Sequence, residues 1–169
     1  DADIVIGVPD SAIPAAIGYA NKSGISYTEG LIRNRYVGRT FISPNQRLRE
    51  LGVRTKFNVL KDVIKDKKII LVDDSIVRGT TTSRVIELLK DSGAAEIHMR
   101  VSSPPITSPC YFGVDMASTT ELIANNFDNE SIRKVIGADS LGFLSMENLL
   151  TSVNSEDNDY CRACFTGEY

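Results

Sequence analysis

The stretch Ile69-Ile70-Leu71-Val72-Asp73-Asp74-Ser75-Ile76-Val77-Arg78-Gly79-Thr80-Thr81-Thr82 decides the fold, because it carries a strand, a turn and the start of a helix. Its four leading aliphatic residues form a short apolar run, typical of a strand buried on both faces of a parallel sheet. Beyond the turn, apolar residues recur with helical spacing over Val85–Leu89, and Ser92-Gly93 ends the helix. The stretch therefore predicts a strand that brings two adjacent carboxylates to the edge of a sheet, beside a helix N-terminus.

Strands and helices alternate along the rest of the chain. Ile4-Val5-Ile6-Gly7-Val8 predicts a first buried strand, and the spacing of Ile13, Ala16, Ile17 and Ala20 predicts an amphipathic helix after it. Alternation of this kind implies parallel strands joined by right-handed crossovers. We therefore predict an α/β fold, with a mainly parallel sheet flanked by helices. Further elements are expected over Tyr27–Ile32 and Ile97–Val101 as strands, and near Ser118–Glu121, Ile132–Ile136 and Met146–Val153 as helices, the last contributing to the core.

Composition and charge exclude several classes of protein. The 169 residues are 42% hydrophobic and 24% charged, which suffices for one globular domain with a buried core. A net charge of −3 does not favour nucleic acid or an anionic membrane as a partner. No apolar run approaches the roughly 18 residues that span a bilayer. The odd number of cysteines argues against a disulfide scaffold, so we expect a cytoplasmic protein. We expect a domain over residues 1–153 and a polar C-terminal tail over 154–169, cut from a longer chain because strand-like residues begin at Ile4 without an initiator Met.

The stretch from Asp73 to Thr82 has the chemistry of a sugar-phosphate site. A helix N-terminus offers free N–H groups and a positive dipole end, and threonine hydroxyls add donors, which suits a phosphate monoester. That phosphate would repel Asp73 and Asp74, whose carboxylates suit ribose hydroxyls or a divalent cation instead. Ligands bind at the carboxyl ends of parallel strands, so we expect Asp10 and Ser11 beside Asp73. The alternative is an ordinary strand-to-helix turn with solvated acids, which the agreement of motif, strand and helix disfavours.

Residues 33–56 form a basic segment with a single acid, Glu50. Gly38, Pro44 and Asn45 interrupt any regular pattern, so we predict a long loop with a short helix near residues 46–51. Taken alone, the segment is typical of a solvated charged surface. Beside an acidic strand end, we expect it to fold over the site. Its basic residues are Arg33, Arg35, Arg39, Arg47, Arg49, Arg54 and Lys56.

The Asp73–Thr82 stretch closely resembles the ribose-phosphate-binding loop of the type I phosphoribosyltransferases. Nearly the whole chain resembles the phosphoribosyltransferase half of the glutamine phosphoribosylpyrophosphate amidotransferases, through residues 8–11, 33–42, 102–105 and 136–141. The resemblance implies the type I phosphoribosyltransferase fold with a mobile basic loop. It also implies formation of 5-phosphoribosylamine from phosphoribosylpyrophosphate (PRPP) and glutamine-derived ammonia, the first step of purine synthesis. The N-terminal glutaminase of that family, whose nucleophile is its N-terminal cysteine, is expected to be absent, since residue 1 is Asp.

The resemblance also implies roles for individual residues. Asp73 and Asp74 would hold the ribose hydroxyls and Mg²⁺, with Ser11 as a third magnesium-associated position. Arg35 and Tyr36 are expected to act catalytically with this pair, on a loop whose closure excludes water. AMP- and GMP-like nucleotides are expected as inhibitors at the same site, and a homo-oligomer is expected for the full-length enzyme. The expected substrate-binding residues are Asp10, Ser11, Arg33, Arg39, Asp73, Asp74, Ser75, Arg78, Gly79, Thr80, Thr81 and Thr82.

The chain has three cysteines, Cys110, Cys161 and Cys164, an odd number that argues against a disulfide scaffold. Three thiols cannot complete a four-cysteine zinc or iron–sulfur site, so the residues alone favour free cysteines. One branch of the amidotransferases carries a structural 4Fe-4S cluster, and the resemblance places these cysteines at its ligand positions. The fourth ligand would precede residue 1. We therefore expect a cluster in the full-length protein, incomplete here, and an easily cleaved tail without it.

Two other functions stay open at this point. The chain could transfer phosphoribose to a nucleobase, which the Arg33–Ile42 block argues against. It could also be a nucleotide-sensing or regulatory module without enzymatic activity, which the Asp73-Asp74 pair and the basic segment argue against. The identity of the nucleophile that the chain consumes distinguishes these alternatives.

Overall fold

The computed structural model of the chain describes residues 1–36, 56–114, 118–153 and 160–169. The strands are β1 (Ile4–Gly7), β2 (Leu31–Arg33), β3 (Phe57–Val59), β4 (Lys68–Asp73), β5 (Glu96–Val101) and β6 (Ser140–Phe143). The helices are α1 (Ile13–Ser23), α2 (Lys61–Ile64), α3 (Thr80–Asp91), α4 (Ile123–Asn126), α5 (Asn129–Ile136), α6 (Met146–Ser152) and α7 (Ala163–Thr166), with a 3-10 turn over Thr119–Glu121.

A four-stranded parallel sheet in the order β1-β4-β5-β6 forms the centre of the fold. Strand β4 lies between β1 and β5, with Gly7 opposite Val72 and Asp73 opposite Val101. Strands β2 and β3 form a separate antiparallel pair. The predicted α/β fold, a mainly parallel sheet flanked by helices, is confirmed.

Both faces of the sheet are covered, which explains why β4 reads as a continuous apolar run. Successive side chains of a strand point to opposite faces. Ile69 and Leu71 therefore pack in the larger core cluster with the α3 residue Ile86, whereas Ile70 and Val72 pack in a second cluster with the α1 residues Ala16 and Ala20. No side chain of β4 between Ile69 and Val72 is more than 4% exposed.

Two local predictions are wrong. The Met146–Val153 stripe does form α6, but none of its residues is buried and Val153 is 46% exposed, so it does not contribute to the core. Its periodicity identified the helix, but burial also needs a partner face. The predicted capping box at Ser118–Glu121 opens only a single 3-10 turn. Ser118 Oγ pairs with Thr120 Oγ1 at 3.0 Å rather than with a backbone N–H.

The basic segment between residues 37 and 55, with Arg39 and the helix expected near 46–51, lies outside the described residues. The C-terminal residues 160–169 include α7, whose Ala163 is only 4% exposed, so this part of the expected tail is packed on the domain. Within the described ranges, no helix is long and apolar enough to cross a membrane.

Candidate functional site

The ends of β1 and β4 meet at the carboxyl edge of the sheet. The Val8 N–H donates to the Val72 carbonyl at 2.9 Å, which places the Pro9–Ser11 turn beside Asp73. The Pro9-Asp10 peptide bond is cis. A cleft of about 900 Å³ opens there. Of the expected substrate-binding set, the residues that line it are Asp10, Ser11, Arg33, Asp73, Asp74, Ser75, Arg78, Gly79, Thr80, Thr81 and Thr82.

The two carboxylates differ sharply in environment. Asp73 is 8% exposed, and one of its oxygens accepts a hydrogen bond from the Asp74 N–H at 2.9 Å. Burial, and next the charge of Asp74, raise the pKa of Asp73 to about 7, against the opposing effects of that N–H and of Lys56. Asp74 is exposed and accepts a hydrogen bond from Ser75 Oγ at 2.9 Å. The cleft therefore contains two adjacent carboxyl groups as hydrogen-bond acceptors, of which Asp73 is buried and Asp74 is accessible to solvent.

The turn before α3 presents backbone donors to the same cleft. Gly79 has a φ of 77° and stands at the N-cap of α3, where it offers no side chain of its own to accept a hydrogen bond from the first turn. A Cβ at Gly79 would lie 2.6 Å from Ile123 Cδ1, so both the backbone conformation and the close packing require glycine. Among the three threonines that follow, Thr82 is buried and Thr80 is exposed. Uncapped N–H groups with adjacent hydroxyls can bind a phosphate.

Basic side chains complete the lining. Arg33 forms an ion pair with Asp10 at 3.1 Å, and the buried Arg33 Nε has no hydrogen-bond partner among the described residues. Arg78 reaches Glu121 at 3.4 Å, where both side chains are about half exposed. Positive charge therefore lies around the acidic pair.

Lys56 and Phe57 also line the cleft, although neither is among the site residues expected from the sequence. Lys56 is 9% exposed, with Nζ 5.4 Å from the centre of the Phe57 ring. Burial, and next the charge of Arg33, lower the pKa of Lys56, against the opposing effect of Asp73. The sequence did offer one signal for Lys56, its position directly before β3. Strand β3 pairs with β2 so that Phe57 lies opposite Arg33, and this pairing brings Lys56 close to the cleft.

Two expected catalytic residues lie elsewhere. Tyr36 is fully exposed, and its N–H donates to Asn34 Oδ1 at 3.1 Å. Neither Arg35 nor Tyr36 is among the described residues that line the cleft. The structure therefore does not bring them to Asp73, and their catalytic role stays a prediction.

The sequence model of the phosphoribosyl transferase domain family matches residues 1–108, which include every residue that lines the cleft. The chain belongs to the phosphoribosyltransferase domain family. This phosphoribosyltransferase domain is 54% identical over 169 residues to the amidophosphoribosyltransferase of Synechocystis, and 53% identical over 173 residues to that of Bacillus subtilis. It is 51% identical to the chloroplastic amidophosphoribosyltransferase 2 of Arabidopsis thaliana. Each match covers all of this chain, but the chain spans only about a third of the relatives' length, between 30% and 36%.

Two solved structures are also similar to this chain. The glutamine PRPP amidotransferase of B. subtilis in complex with ADP and GMP superposes with a TM-score of 0.88 at 53% identity, over 100% of this chain and 38% of that one. A structure described as the allosteric regulatory enzyme of purine biosynthesis superposes with a TM-score of 0.87 at 53% identity, over 100% of this chain and 37% of that one.

The three cysteines of the phosphoribosyltransferase domain lie away from the cleft, around α7. Cys161 is exposed, whereas Cys110 and Cys164 are half-buried. The Cys110 sulfur accepts the Phe112 N–H at 3.4 Å, and the N–H groups of Val114 and Phe112 lower the pKa of Cys110. Burial raises the pKa of Cys164, and the nearby charges of Cys110 and Cys161 raise it further.

This arrangement does not form a site for a single metal ion. Across the parts of the chain that the structure describes, no group of three or more His, Cys, Asp or Glu side chains is arranged to hold one. A cubane cluster spreads its ligands over four irons, so its cysteines do not need to converge on one point. Backbone N–H groups directed at a sulfur, as at Cys110, suit such a cluster.

Proposed function

We propose that this chain is the phosphoribosyltransferase region of an amidophosphoribosyltransferase, and that it forms 5-phosphoribosylamine from PRPP and ammonia. One observation carries the proposal: an acidic pair and an uncapped helix N-terminus line the same cleft. The whole-length identity to amidophosphoribosyltransferases supports it. Formation of the sugar amine is the first step of purine biosynthesis, and the full-length enzyme would draw its ammonia from glutamine.

In this proposal, different residues of the cleft bind the 5′-phosphate, the ribose and the pyrophosphate of PRPP. The N–H groups and hydroxyls of Gly79–Thr82 bind the 5′-phosphate at the positive end of α3. Asp73 and Asp74 accept hydrogen bonds from the ribose hydroxyls. The backbone after Pro9, with the cations Arg33 and Lys56 that line the cleft, faces the pyrophosphate. The 5′-phosphate is thereby kept away from the carboxylates that would repel it.

The residues present fit a magnesium ion. Mg²⁺ is usually held by one or two carboxylates together with substrate phosphate oxygens. Asp73 and Asp74 supply the carboxylates, and the exposed Ser11 hydroxyl in the same cleft supplies another oxygen. When bound, the ion would neutralise charge on the departing pyrophosphate.

The reaction breaks the bond between the ribose C1 and pyrophosphate and forms a bond from C1 to nitrogen. Positive charge develops on the ribose as the pyrophosphate leaves, and the carboxylates of the acidic pair stabilise it. Neutral ammonia supplies the electron pair, and the ammonium group formed then releases a proton to solvent. Catalysis thus depends on positioning and charge stabilisation. The expected water-excluding loop, with Arg39, lies outside the described residues.

Choice of nucleophile tests the proposal. The chain is incubated with PRPP and Mg²⁺, and pyrophosphate release is measured with ammonium chloride, glutamine or a nucleobase. We expect ammonia alone to support release, with rates that rise from pH 7 to pH 9 as more neutral ammonia forms. Glutamate formed from glutamine, or nucleobase-dependent release, would contradict the proposal. The double variant Asp73→Asn/Asp74→Asn is the control for the site.

Purine nucleotides are proposed as inhibitors at the same cleft. AMP and GMP each carry a 5′-phosphate on ribose, which matches the chemistry of the Gly79–Thr82 turn and the acidic pair. The complex of the B. subtilis protein with ADP and GMP supports this ligand class. The homo-oligomer and the cytoplasmic location stay predictions.

The cysteines are proposed as three ligands of a 4Fe-4S cluster whose fourth ligand comes from a longer chain. Its role would be structural, since none of the three cysteines lines the cleft. We expect the isolated chain to hold no stable cluster, and an upstream-extended chain to gain visible absorption on anaerobic reconstitution. Cys161→Ser in the extended chain should lose it. Colour in the isolated chain would contradict the assignment.

A further inference from the structure

A short segment, Glu121–Ile123, contacts three consecutive residues, Val77, Arg78 and Gly79, at the start of the phosphate-binding turn. The Glu121 carboxylate pairs with Arg78. The Ile123 N–H donates to the Val77 carbonyl at 2.9 Å. The Ile123 side chain packs beneath Gly79, where its Cδ1 would lie 2.6 Å from a Cβ on that glycine. The turn is therefore held from outside its own element, at the point where α3 begins.

Ile123 makes two of these contacts and is only 4% exposed. Its backbone fixes the residue before Arg78, and its side chain fixes the residue after it. We propose that Ile123 is a positioning residue that holds Gly79 and the first N–H groups of α3 in the arrangement that a phosphate requires. The inference rests on the proposed function, and it adds a residue from outside the cleft to that site.

Packing at Gly79 is what separates Ile123 from an ordinary core residue. Gly79 lacks a side chain of its own, so its place depends on the surface against which it lies. A phosphate bound by several N–H groups needs all of them at hydrogen-bond distance at once. Removal of the supporting methyl groups lets the turn settle inward and breaks that match. The Pro9–Ser11 turn and Arg33 belong to other elements, so they keep their places.

Ile132 offers a matched control. It lies in α5, is 1% exposed and belongs to the same core cluster as Ile123. The three atoms nearest to a Cβ on Gly79 belong to Ile123 and Ile136, and none of them belongs to Ile132. Truncation of Ile132 therefore costs a similar amount of core packing without removing the support under the turn.

The test measures two ligands separately, each by calorimetry with the 169-residue chain. Ribose 5-phosphate probes the phosphate-binding turn, and magnesium pyrophosphate probes the other half of the cleft. We expect Ile123→Ala to raise the Kd of ribose 5-phosphate about tenfold, since charged hydrogen bonds are weakened. The Kd of magnesium pyrophosphate should change by less than about twofold, and Ile132→Ala should change both constants by less than about twofold. Ile123→Val, which removes only Cδ1, should give a smaller loss of the same kind if Ile123→Ala does not fold.

The outcomes separate this inference from the function on which it rests. A wild-type chain that binds neither ligand overturns the proposed function. A wild-type chain that binds both, with Ile123→Ala or Ile123→Val either unchanged or equally weakened for both ligands, overturns the positioning role alone. A selective loss for ribose 5-phosphate in Ile132→Ala as well would assign the effect to general core packing, and would also overturn it.

Discussion

At the scale of single residues, the buried position of Asp73 lowers the stability of the folded chain when its carboxylate is charged. A carboxylate buried at the end of a strand, beside a second carboxylate, is disfavoured in its charged form. This is why the pKa of Asp73 rises to about 7. In the proposed function, this poorly solvated acid is one of the two acceptors that bind ribose hydroxyls and a cation. The cost to folding is measurable in the absence of ligand.

Asp73→Asn should stabilise the chain in the absence of divalent cations. The folded state holds the Asp73 proton more tightly than the unfolded state, whose pKa is near 3.8, so the contribution of Asp73 to wild-type stability falls as pH rises from about 4 to about 7. Asparagine mimics the protonated acid and removes this dependence. The advantage of the variant should grow across that pH range, to at most about 4 kcal/mol, and stay constant above it. Urea unfolding at several pH values measures it, with Asp62→Asn, at an exposed aspartate outside the cleft, as the control substitution.

Gly79→Ala should destabilise the chain by about 2–4 kcal/mol, because the new methyl adds backbone strain to a close contact with Ile123. Gly18→Ala in α1 is the matched control, since nothing lies within 4 Å of its Cβ position. That change should stabilise by about 0.5–1 kcal/mol through helix propensity. Addition of Ile123→Val to Gly79→Ala should recover part of the loss in urea unfolding. Equal effects of the two glycine substitutions would show that Gly79 has no special environment.

At the scale of elements, the spacing of apolar residues predicted the helices and strands that pack directly against the central sheet or form part of it. The apolar run Ile69–Val72 predicted β4, and the helical spacing over Val85–Leu89 predicted α3. Both predictions succeeded because the residues of both elements are buried in the core clusters. The same reasoning misjudged α6, whose apolar residues Met146, Leu149 and Leu150 are only half-buried. Lys56 was overlooked because its burial depends on the non-local pairing of β2 with β3.

The C-terminal segment joins the domain by packing as well as by hydrogen bonds. The N–H groups of Thr107 and Ser108 both donate to the Cys164 carbonyl, and Tyr169 donates to the carbonyl of Pro109. Phe165 packs in a cluster with Leu122. These contacts are made by protein atoms alone. The expectation that the tail is easily cleaved without a cluster stays a prediction.

Phe165→Ala should therefore destabilise the chain by about 1–3 kcal/mol, less than truncation of a fully buried phenylalanine. Limited proteolysis should cut the 160–169 segment faster in this variant than in wild type. Phe127→Ala is the control, because Phe127 is 48% exposed and its loss should cost less than about 1 kcal/mol. Wild-type stability and protection in Phe165→Ala would show that the segment is only loosely attached.

At the scale of the whole molecule, the described residues that line the cleft come from four separate parts of the chain, at residues 8–11, 33, 56–57 and 73–82. The rule that ligands bind at the carboxyl edge of a parallel sheet predicted the first and last of these from sequence. Arg33 was expected from the family resemblance. Arg35 and Tyr36 were expected from the same source, but the structure leaves them at the surface, since position on a loop does not fix side-chain direction.

The most direct test of the account is the affinity of the chain for PRPP in the presence of Mg²⁺, measured by calorimetry on wild type and on Asp73→Asn/Asp74→Asn. Asparagine at position 73 relieves a buried charge, so we expect the variant to remain folded by circular dichroism. We predict that wild type binds PRPP and that binding weakens when Mg²⁺ is withheld. The folded double variant should lose at least about a hundredfold in affinity, because two charged hydrogen-bond acceptors are removed. A folded double variant that binds magnesium PRPP as tightly as wild type would contradict it.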